Sequence, residues 1–588
     1  MKWDLTYHFK TKEEFEQAYN DVQKLVASLS SFKGKLNEPE EFKSFYLLVK
    51  KFEIEASKVY QYASLKSDLN KKDVENASVI AKCRMLLYAF SEATSFELPE
   101  IIKLGKDKVD EYLNMYDELS EFKFYFEKVF RNADHILNES SEKLLSIFDP
   151  LTSAGSELYS SLAVGDGKPE EVKLSNKEKV KVTQGNYRSL ITDSNNPKDR
   201  QKIFEAIFNT YDQHKTTYSN IYNTVLQADK ATAKARGYKN SLEAHLYGNN
   251  IPLEVYYNLV DVASKYNKGL KKYIKLRKKY LNLKVYHTYD RFMELATSNK
   301  KYTYEEAKSL FFNSLEEFPE DFKAKAKEVL REGFVDVYEQ DGKRTGAYSS
   351  SVVNLHPFIL LNYDGTLDSV FTVAHEAGHS MHSMYAGETQ PPMLQDYTIF
   401  VAEIASTFNE HALLDYFLKL PSATRDEKIM VIQKAIDNIV GTFYRQTLFA
   451  EYELKAHELM ENDQPINHEV LSNIMIELYK KYYGLDITKE KVKKYVWAYI
   501  PHLFYTPFYV YQYATSFAAS FKLYQSVSNK EPNAMEKYTN LLKSGGSKYP
   551  VEQAKEAGVD FMKKETFMAV VNRMDELVDK LEQLLEEE

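Results

Sequence analysis

Apolar residues recur at helical spacing along most of the chain. Residues 11–150 read as successive amphipathic helices. Thr11-Lys12-Glu13-Glu14 has the form of a capping box before an apolar-periodic run. The helical pattern continues through 38–70 and 72–92 with almost no glycine or proline. Asp149-Pro150 predicts a break, followed by Ser153-Ala154-Gly155 and Gly165-Asp166-Gly167-Lys168-Pro169. Val172-Lys173-Leu174 and Val180-Lys181-Val182 predict minor strands there. A domain boundary is placed at 190, dividing an N-terminal helical domain, 1–190, from a second domain, 191–588. Helices resume from 197 through 330.

The pattern changes at 332–363. Phe334-Val335-Asp336-Val337-Tyr338 reads as a strand and Asp341-Gly342 as a turn. Val352-Val353-Asn354-Leu355 and Pro357-Phe358-Ile359-Leu360-Leu361-Asn362-Tyr363 read as further strands. Asp364-Gly365-Thr366 turns the chain into an apolar helix that carries His375, with Asp368 near its start, where a negative charge suits the helix dipole. Beyond it the chain reads as helical, with one loop at glycines 545–546 and Pro550, to a last helix ending Glu586-Glu587-Glu588. The expected class is mainly α, with a small sheet beside the His375 helix.

Composition agrees. A chain of 588 residues exceeds one hydrophobic core, so two or more domains are expected. With 20 glycines and 16 prolines over that length, long helices are favoured over many-stranded sheets. The net charge of −9 is spread without basic blocks, which argues against nucleic-acid binding. Cys83 is the sole cysteine, so no intramolecular disulfide is possible. Met1-Lys2-Trp3-Asp4-Leu5 lacks the apolar core of a signal peptide. Both point to the cytoplasm. From Tyr495 to Phe521 there is no Asp, Glu, Lys or Arg. Pro501, Pro507, His502, Gln512 and the tyrosines make this stretch too polar for a membrane span, so it reads as a buried segment lining a cavity.

His375-Glu376-Ala377-Gly378-His379 is the chemical signal. On a helix, histidines at i and i+4 leave one face about 6 Å apart along the axis. Both can ligate one zinc ion, and the glutamate between them can serve as general base toward water. A hydrolytic zinc needs a third protein ligand. His382 lies about 10 Å along the axis from His375, too far in a straight helix. A metzincin needs glycine at 382 and histidine at 385, where this chain has His382 and Tyr385. The remaining option is a carboxylate on a second helix. In 399–415, an apolar run, Glu403 is the first charge, and Glu410 shares its face and could hydrogen-bond a ligand. His457-Glu458-Leu459-Met460-Glu461 lacks the second histidine and reads as solvated surface.

With these residues placed, the chain resembles the oligoendopeptidase F branch of the thimet oligopeptidase family of zinc metallopeptidases. The resemblance runs through Trp3-Asp4-Leu5, Gly346-Ala347-Tyr348-Ser349, Leu360-Leu361-Asn362-Tyr363, the H-E-x-G-H-S helix, Phe400-Val401-Ala402-Glu403-Ile404-Ala405-Ser406, Lys543-Ser544-Gly545-Gly546-Ser547 and Ala557-Gly558-Val559-Asp560. It implies one zinc ion held by His375, His379 and Glu403, with Glu376 as base and Glu410 behind the ligands. It implies a helical two-lobed shell around a deep channel with zinc on its floor. It also implies substrate binding by Gly346, Ala347 and Tyr348, and a strand at 357–363 that pairs with an extended peptide. A histidine followed by tyrosines supports the substrate carbonyl in this family. Here that is His502, with Tyr505, Tyr509 and Tyr511 as candidates, and Phe508 stands where one tyrosine is expected. The implied activity is endopeptidase cleavage of short oligopeptides by zinc-activated water, in a protein expected to be a monomer, with an oligomer left open. Another zinc peptidase, such as an aminopeptidase, and a catalytically silent helical binding protein are the rival readings.

Overall fold

The helical periodicity of the sequence is realised: 70% of the chain is helical, with only small sheets. The computed structural model describes residues 2–587. Met1 and Glu588, which begin and end the terminal segments read above, lie outside the described residues. Among the described residues no helix is long and apolar enough to cross a membrane.

The strands are β1 (Glu170–Lys173), β2 (Lys179–Val182), β3 (Val335–Asp336), β4 (Tyr348–Ser350) and β5 (Phe358–Leu360). β1 and β2 are the two expected minor strands, and they pair as an antiparallel hairpin. β3, β5 and β4 make a second sheet in that order, β5 running parallel to β3 and antiparallel to β4. Two expectations change here. Val352–Leu355 is a turn, closed by Leu355 N–H donating to Val352 O at 3.2 Å. Asn354 sits at φ +63°, a left-handed conformation that no strand accommodates. And β5, within the segment expected to pair with a peptide, is the central strand. Both its edges are already hydrogen-bonded, so the edges of this sheet belong to β3 and β4.

The chain packs as two compact units, each assembled from three separated segments. The first comprises 1–134, 299–420 and 523–559. Its helix Lys12–Leu29 begins on half of the predicted capping box. Thr11 Oγ1 accepts from Glu14 N–H at 3.2 Å, but the Glu14 carboxylate takes the Lys10 N–H at 2.7 Å instead of that of Thr11. Long helices Pro39–Leu69 and Val74–Ala93 build its aromatic-rich cores around Phe42, Phe45, Phe52 and Tyr46. Trp3 is pinned to the sheet: its indole N–H donates to Ile359 O at 2.8 Å, and its ring packs on Phe358 and Tyr348.

The second unit comprises 135–298, 421–522 and 560–588. Its helix Glu139–Thr152 carries Pro150 inside, so the break expected at Asp149-Pro150 falls at Ser153. Gly155 does not break the chain either. It lies in helix Ala154–Ser160, and a Cβ there would meet Val225 Cγ2 at 2.7 Å, so this glycine serves a close helix approach.

Candidate metal centre

Helix Leu367–Thr389 is started by its own sequence. Gly365 turns at φ +77°, and Asp364 Oδ1 accepts from Thr366 N–H, Thr366 Oγ1 and Ser369 Oγ at 2.7–2.9 Å. Thr366 then caps the helix, accepting from Ser369 N–H at 3.2 Å. Val370, Phe371, Val373 and Ala374 bury one face, which fixes the rotation of the helix and hence the direction of His375 and His379. Its partner, helix Ile399–Lys419, is apolar nearly all round. The two pack at very short range because position 378 is glycine. A Cβ on Gly378 would meet Ser406 Cα at 2.6 Å and collide with the Ala405 carbonyl. Asn409 Nδ2 donates across to Ala374 O at 3.2 Å.

This close packing brings His375, His379 and Glu403 together, one ligand atom from each lying within 4.8 Å of the others. Glu403 Oε2 is 3.4 Å from His375 Nε2 and 3.5 Å from His379 Nε2. A tetrahedral zinc site with bonds of about 2.0–2.1 Å separates its ligand atoms by about 3.4 Å. Glu410 accepts from His375 Nδ1 at 2.8 Å, which orients the ring so that Nε2 faces Glu403. Ser406 Oγ donates to Glu403 Oε2 at 2.9 Å and orients that carboxylate.

The charges are strongly coupled. Burial pushes the His375 pKa down, but the Glu410 hydrogen bond and the charges of Glu410, Glu376 and Glu403 outweigh it and lift it to about 9. Burial pushes Glu403 up, and the His379 hydrogen bond and the two histidine charges hold it down to about 2. Glu376 is held above its ordinary value, chiefly by burial. Its Oε2 is buried with no hydrogen-bond partner. An orphaned carboxylate oxygen beside two imidazoles and a second carboxylate is costly in a closed interior and is what a metal-assisted hydrolytic site requires. The donor set, two imidazole nitrogens and one carboxylate oxygen, fits zinc.

His382 takes no part. It is 1% exposed, its ring lies flat on Tyr397 at 3.6 Å, and burial with the His379 charge pushes its pKa down to about 3. β4 flanks the metal helix, with Ser349 Oγ 2.8 Å from Ser380 Oγ. Tyr348 begins that strand with its hydroxyl donating to Asp68 at 2.7 Å. Gly346 precedes it at φ +83°, its carbonyl accepting from Asn362 Nδ2 at 2.7 Å, and Ala347 lies between them, half-buried.

The family model described as "Peptidase family M3" matches residues 190–573, well over half of the chain, and "Oligopeptidase F" matches 100–168. The chain belongs to peptidase family M3. This M3 chain is 34% identical to oligopeptidase PepF of Bacillus subtilis over 99% of its own length and 87% of that relative. It is 34% identical to the group B oligopeptidase PepB of Streptococcus agalactiae over 99% and 97%. A crystal structure of oligoendopeptidase-F from Enterococcus faecium superposes with a TM-score of 0.77 at 29% identity, covering 98% of this chain and 99% of that one. A crystal structure of a "putative peptidase from Chlamydophila abortus" gives 0.90 at 33%, covering 99% and 98%.

In the second unit of this M3 chain the uncharged segment is broken by Pro501 and Pro507. His502 opens the four-residue helix His502–Tyr505 and is half-buried, and burial lowers its pKa. Its ring runs parallel to that of Tyr509 at 5.7 Å, and Tyr513 closes the group at 6.2 Å from His502 and 5.5 Å from Tyr509. Tyr505 and Tyr511 are not in this group. The Tyr505 hydroxyl lies 2.8 Å from Ser160 Oγ, and Tyr511, 2% exposed, packs on Tyr256. Tyr513 was missed by sequence reasoning. Its spacing of four residues from Tyr509, one helical turn, was the available signal.

The segment is held from below. Phe508 takes φ +56°, and its N–H donates to Glu453 Oε1 at 2.7 Å. His457, expected on solvated surface, is 2% exposed. Its Nε2 lies 2.9 Å from Asp229 Oδ2, its Nδ1 lies 2.9 Å from Glu453 O, and its ring is 4.5 Å from that of Phe508. Of the charged residues around it, Glu458 is exposed and Lys455 and Glu461 are half-buried, and the charge density of the sequence hid the burial of His457.

Proposed function

We propose that the chain is a zinc-dependent endopeptidase that hydrolyses internal bonds of short oligopeptides. Membership of a peptidase family supports peptide hydrolysis. The observation that carries the finer reading is the convergence of His375, His379 and Glu403 next to the orphaned carboxylate oxygen of Glu376. His375, His379 and Glu403 would hold one zinc ion, with Glu410 behind His375. When bound, zinc supplies Lewis-acid chemistry, polarising a carbonyl and making water a stronger acid. Glu376 takes the proton of the attacking water on its carboxylate and returns it to the leaving amine. β4, the edge strand beside the metal helix, offers its free side to an extended peptide, with Gly346, Ala347 and Tyr348 contributing to binding. His502 serves as hydrogen-bond donor to the substrate carbonyl. Tyr509, stacked parallel to it, is the best supported of the tyrosines, ahead of Tyr505 and Tyr511.

Separate matches at 100–168 and 190–573 support reading 1–190 as an N-terminal domain and 191–588 as the catalytic one. A single, buried cysteine supports a cytoplasmic location, and a monomer acting on oligopeptides completes the proposal.

The test is Glu376→Gln. The variant is expected to retain stoichiometric zinc by elemental analysis and to lose nearly all cleavage of an internally quenched peptide whose N-terminus is acetylated. Full activity in the variant would overturn the assignment. Failure of the wild type on the acetylated peptide, with cleavage of its free-amine counterpart, would point to an aminopeptidase.

A further inference from the structure

The second unit holds a cavity of about 310 Å³ that the chemistry above does not use. Four cations line it: Arg188, Arg291, Arg445 and Lys493. One carboxylate lines it, Asp437, already accepting from the Tyr273 hydroxyl at 2.8 Å and from Gln433 Nε2 at 3.3 Å. Among the described residues none of the four cations has a carboxylate within 4.0 Å. Nearby Glu490 is outside the lining, but its oxygens accept from the backbone and hydroxyl of Thr288, which lines the cavity, and its charge partly offsets that of Lys493.

Such a concentration of like charge is unfavourable unless something offsets it. Lys493 is 6% exposed, and its ammonium is stabilised within the protein by the faces of Phe208 and Tyr479, each 5.2 Å away. Burial and the charge of Arg445 lower the pKa of Arg291. Lys493 is lowered as well, by burial first and by the charges of Arg445 and Arg291, against the opposing effect of Tyr479.

The backbone is specialised at the same place. Between helices Arg425–Asn438 and Arg445–Glu461 the chain forms a π-helical turn, Ile439–Tyr444. Such turns are rare and concentrate at functional sites. Val440, Gly441 and Arg445 from this stretch all line the cavity, and a Cβ on Gly441 would meet nothing within 4 Å. The remaining wall is mostly aromatic and aliphatic, including Tyr286, Phe292 and Tyr483, with Thr288 and Gln446 as its polar members.

We infer that this cavity is a binding site for a small phosphate ester, with the phosphoryl group among Arg291, Arg445 and Lys493 and the organic part against the aromatic wall. A monocarboxylate would neutralise one of the cations, whereas a phosphate monoester near neutral pH brings close to two charges and three acceptor oxygens for guanidinium forks. The volume matches the low end of the range for small-molecule sites.

The test is calorimetric titration of the full-length protein with inorganic phosphate, AMP and an acetylated dipeptide acid. AMP is expected to bind in the millimolar range or tighter, more tightly than inorganic phosphate, and the dipeptide acid to bind at least about tenfold more weakly than AMP. Arg291→Gln with Arg445→Gln should weaken AMP by at least about tenfold. Gly441→Leu leaves every cation in place and fills the open space from a helical position, so it keeps the proposal testable if the double variant fails to fold. It too should weaken AMP by at least about tenfold. No AMP binding by the wild type, equal binding by Gly441→Leu, or preference for the dipeptide acid would each overturn the inference.

Discussion

The metal cluster and the His502 segment place their chemical groups by opposite means. Every metal-cluster side chain stands on one of two regular helices, whose separation is set by the missing Cβ of Gly378 and by the Asn409 hydrogen bond to the Ala374 carbonyl. The His502 segment has little regular structure of its own. Two prolines interrupt it, Phe508 is left-handed, and a buried carboxyl 55 positions away in sequence, Glu453, holds its backbone. Ligands for one ion need sub-ångström spacing, which helix periodicity supplies. A hydrogen-bond donor needs direction more than spacing, and an irregular segment can supply that if something buried fixes it. Substitutions of the ligands in the first region, or of the contacts that space them, should therefore change metal content, and substitutions in the second should change turnover with metal content intact.

The largest effect is expected from Glu403→Ala, which removes a ligand and leaves two imidazoles. Zinc affinity should fall by more than about 100-fold, beyond the loss typical for an outer partner of a ligand, and activity should disappear with it. Elemental analysis after dialysis decides this, and retention of stoichiometric zinc would remove Glu403 from the ligand set. Next is His502→Ala. If His502 donates to the carbonyl, kcat should fall by about 10²–10³ with zinc unchanged. A loss of zinc in this variant would break the comparison, because the two regions would then not be separable. Gly378→Ala sharpens it from the other side. The added methyl cannot fit against Ala405 and Ser406 without moving a helix, at a cost of about 1–3 kcal/mol or more, and the displacement should weaken zinc binding although no ligand is touched. Melting temperature and zinc affinity should fall together.

The same contrast explains what could be read from the sequence. His375 and His379 were legible because one local rule, i and i+4 on a helix, carries their geometry. Glu403 and Glu410 were candidates from a charge in an apolar run, but their distances depend on how closely two helices pack, and the reason for that closeness lies in Gly378 meeting residues 27 and 28 positions later. The helices and the strands β1 and β2 followed from periodicity, though the pairing of those strands did not. The short strands around 335–360 were read less well, because two- and three-residue strands carry almost no alternation. Val352–Leu355 had strand composition, yet Asn354 made it a turn, while β4, only three residues long, went unseen. The role of His457 was hidden for a related reason: its neighbours in sequence are charged, and its partners Asp229 and Phe508 are far away along the chain.

The smallest expected effect on turnover, and the one that probes the support of the irregular segment directly, comes from Glu453→Gln. Burial, opposed by the Phe508 N–H and reinforced by the charge of Asp229, holds the Glu453 carboxyl well above the usual carboxylate range. A group whose pKa is raised by folding contributes most below its unfolded value, near 4.5, and loses that contribution as pH rises toward its folded value. Above pH 4.5 the unfolded chain releases this proton while the folded chain keeps it, so wild-type stability carries a declining component of up to about 1.4 kcal/mol per pH unit. Glutamine keeps the carbonyl that accepts the Phe508 N–H and cannot ionise. The variant should lack that component, so its stability relative to wild type should rise between pH 5 and 7 in urea unfolding, with kcat nearly unchanged. Parallel stability curves would mean that Glu453 ionises normally in the fold. The left-handed Phe508 would then rest on a charged acceptor, and the segment would be held by an ion in place of a neutral hydrogen bond.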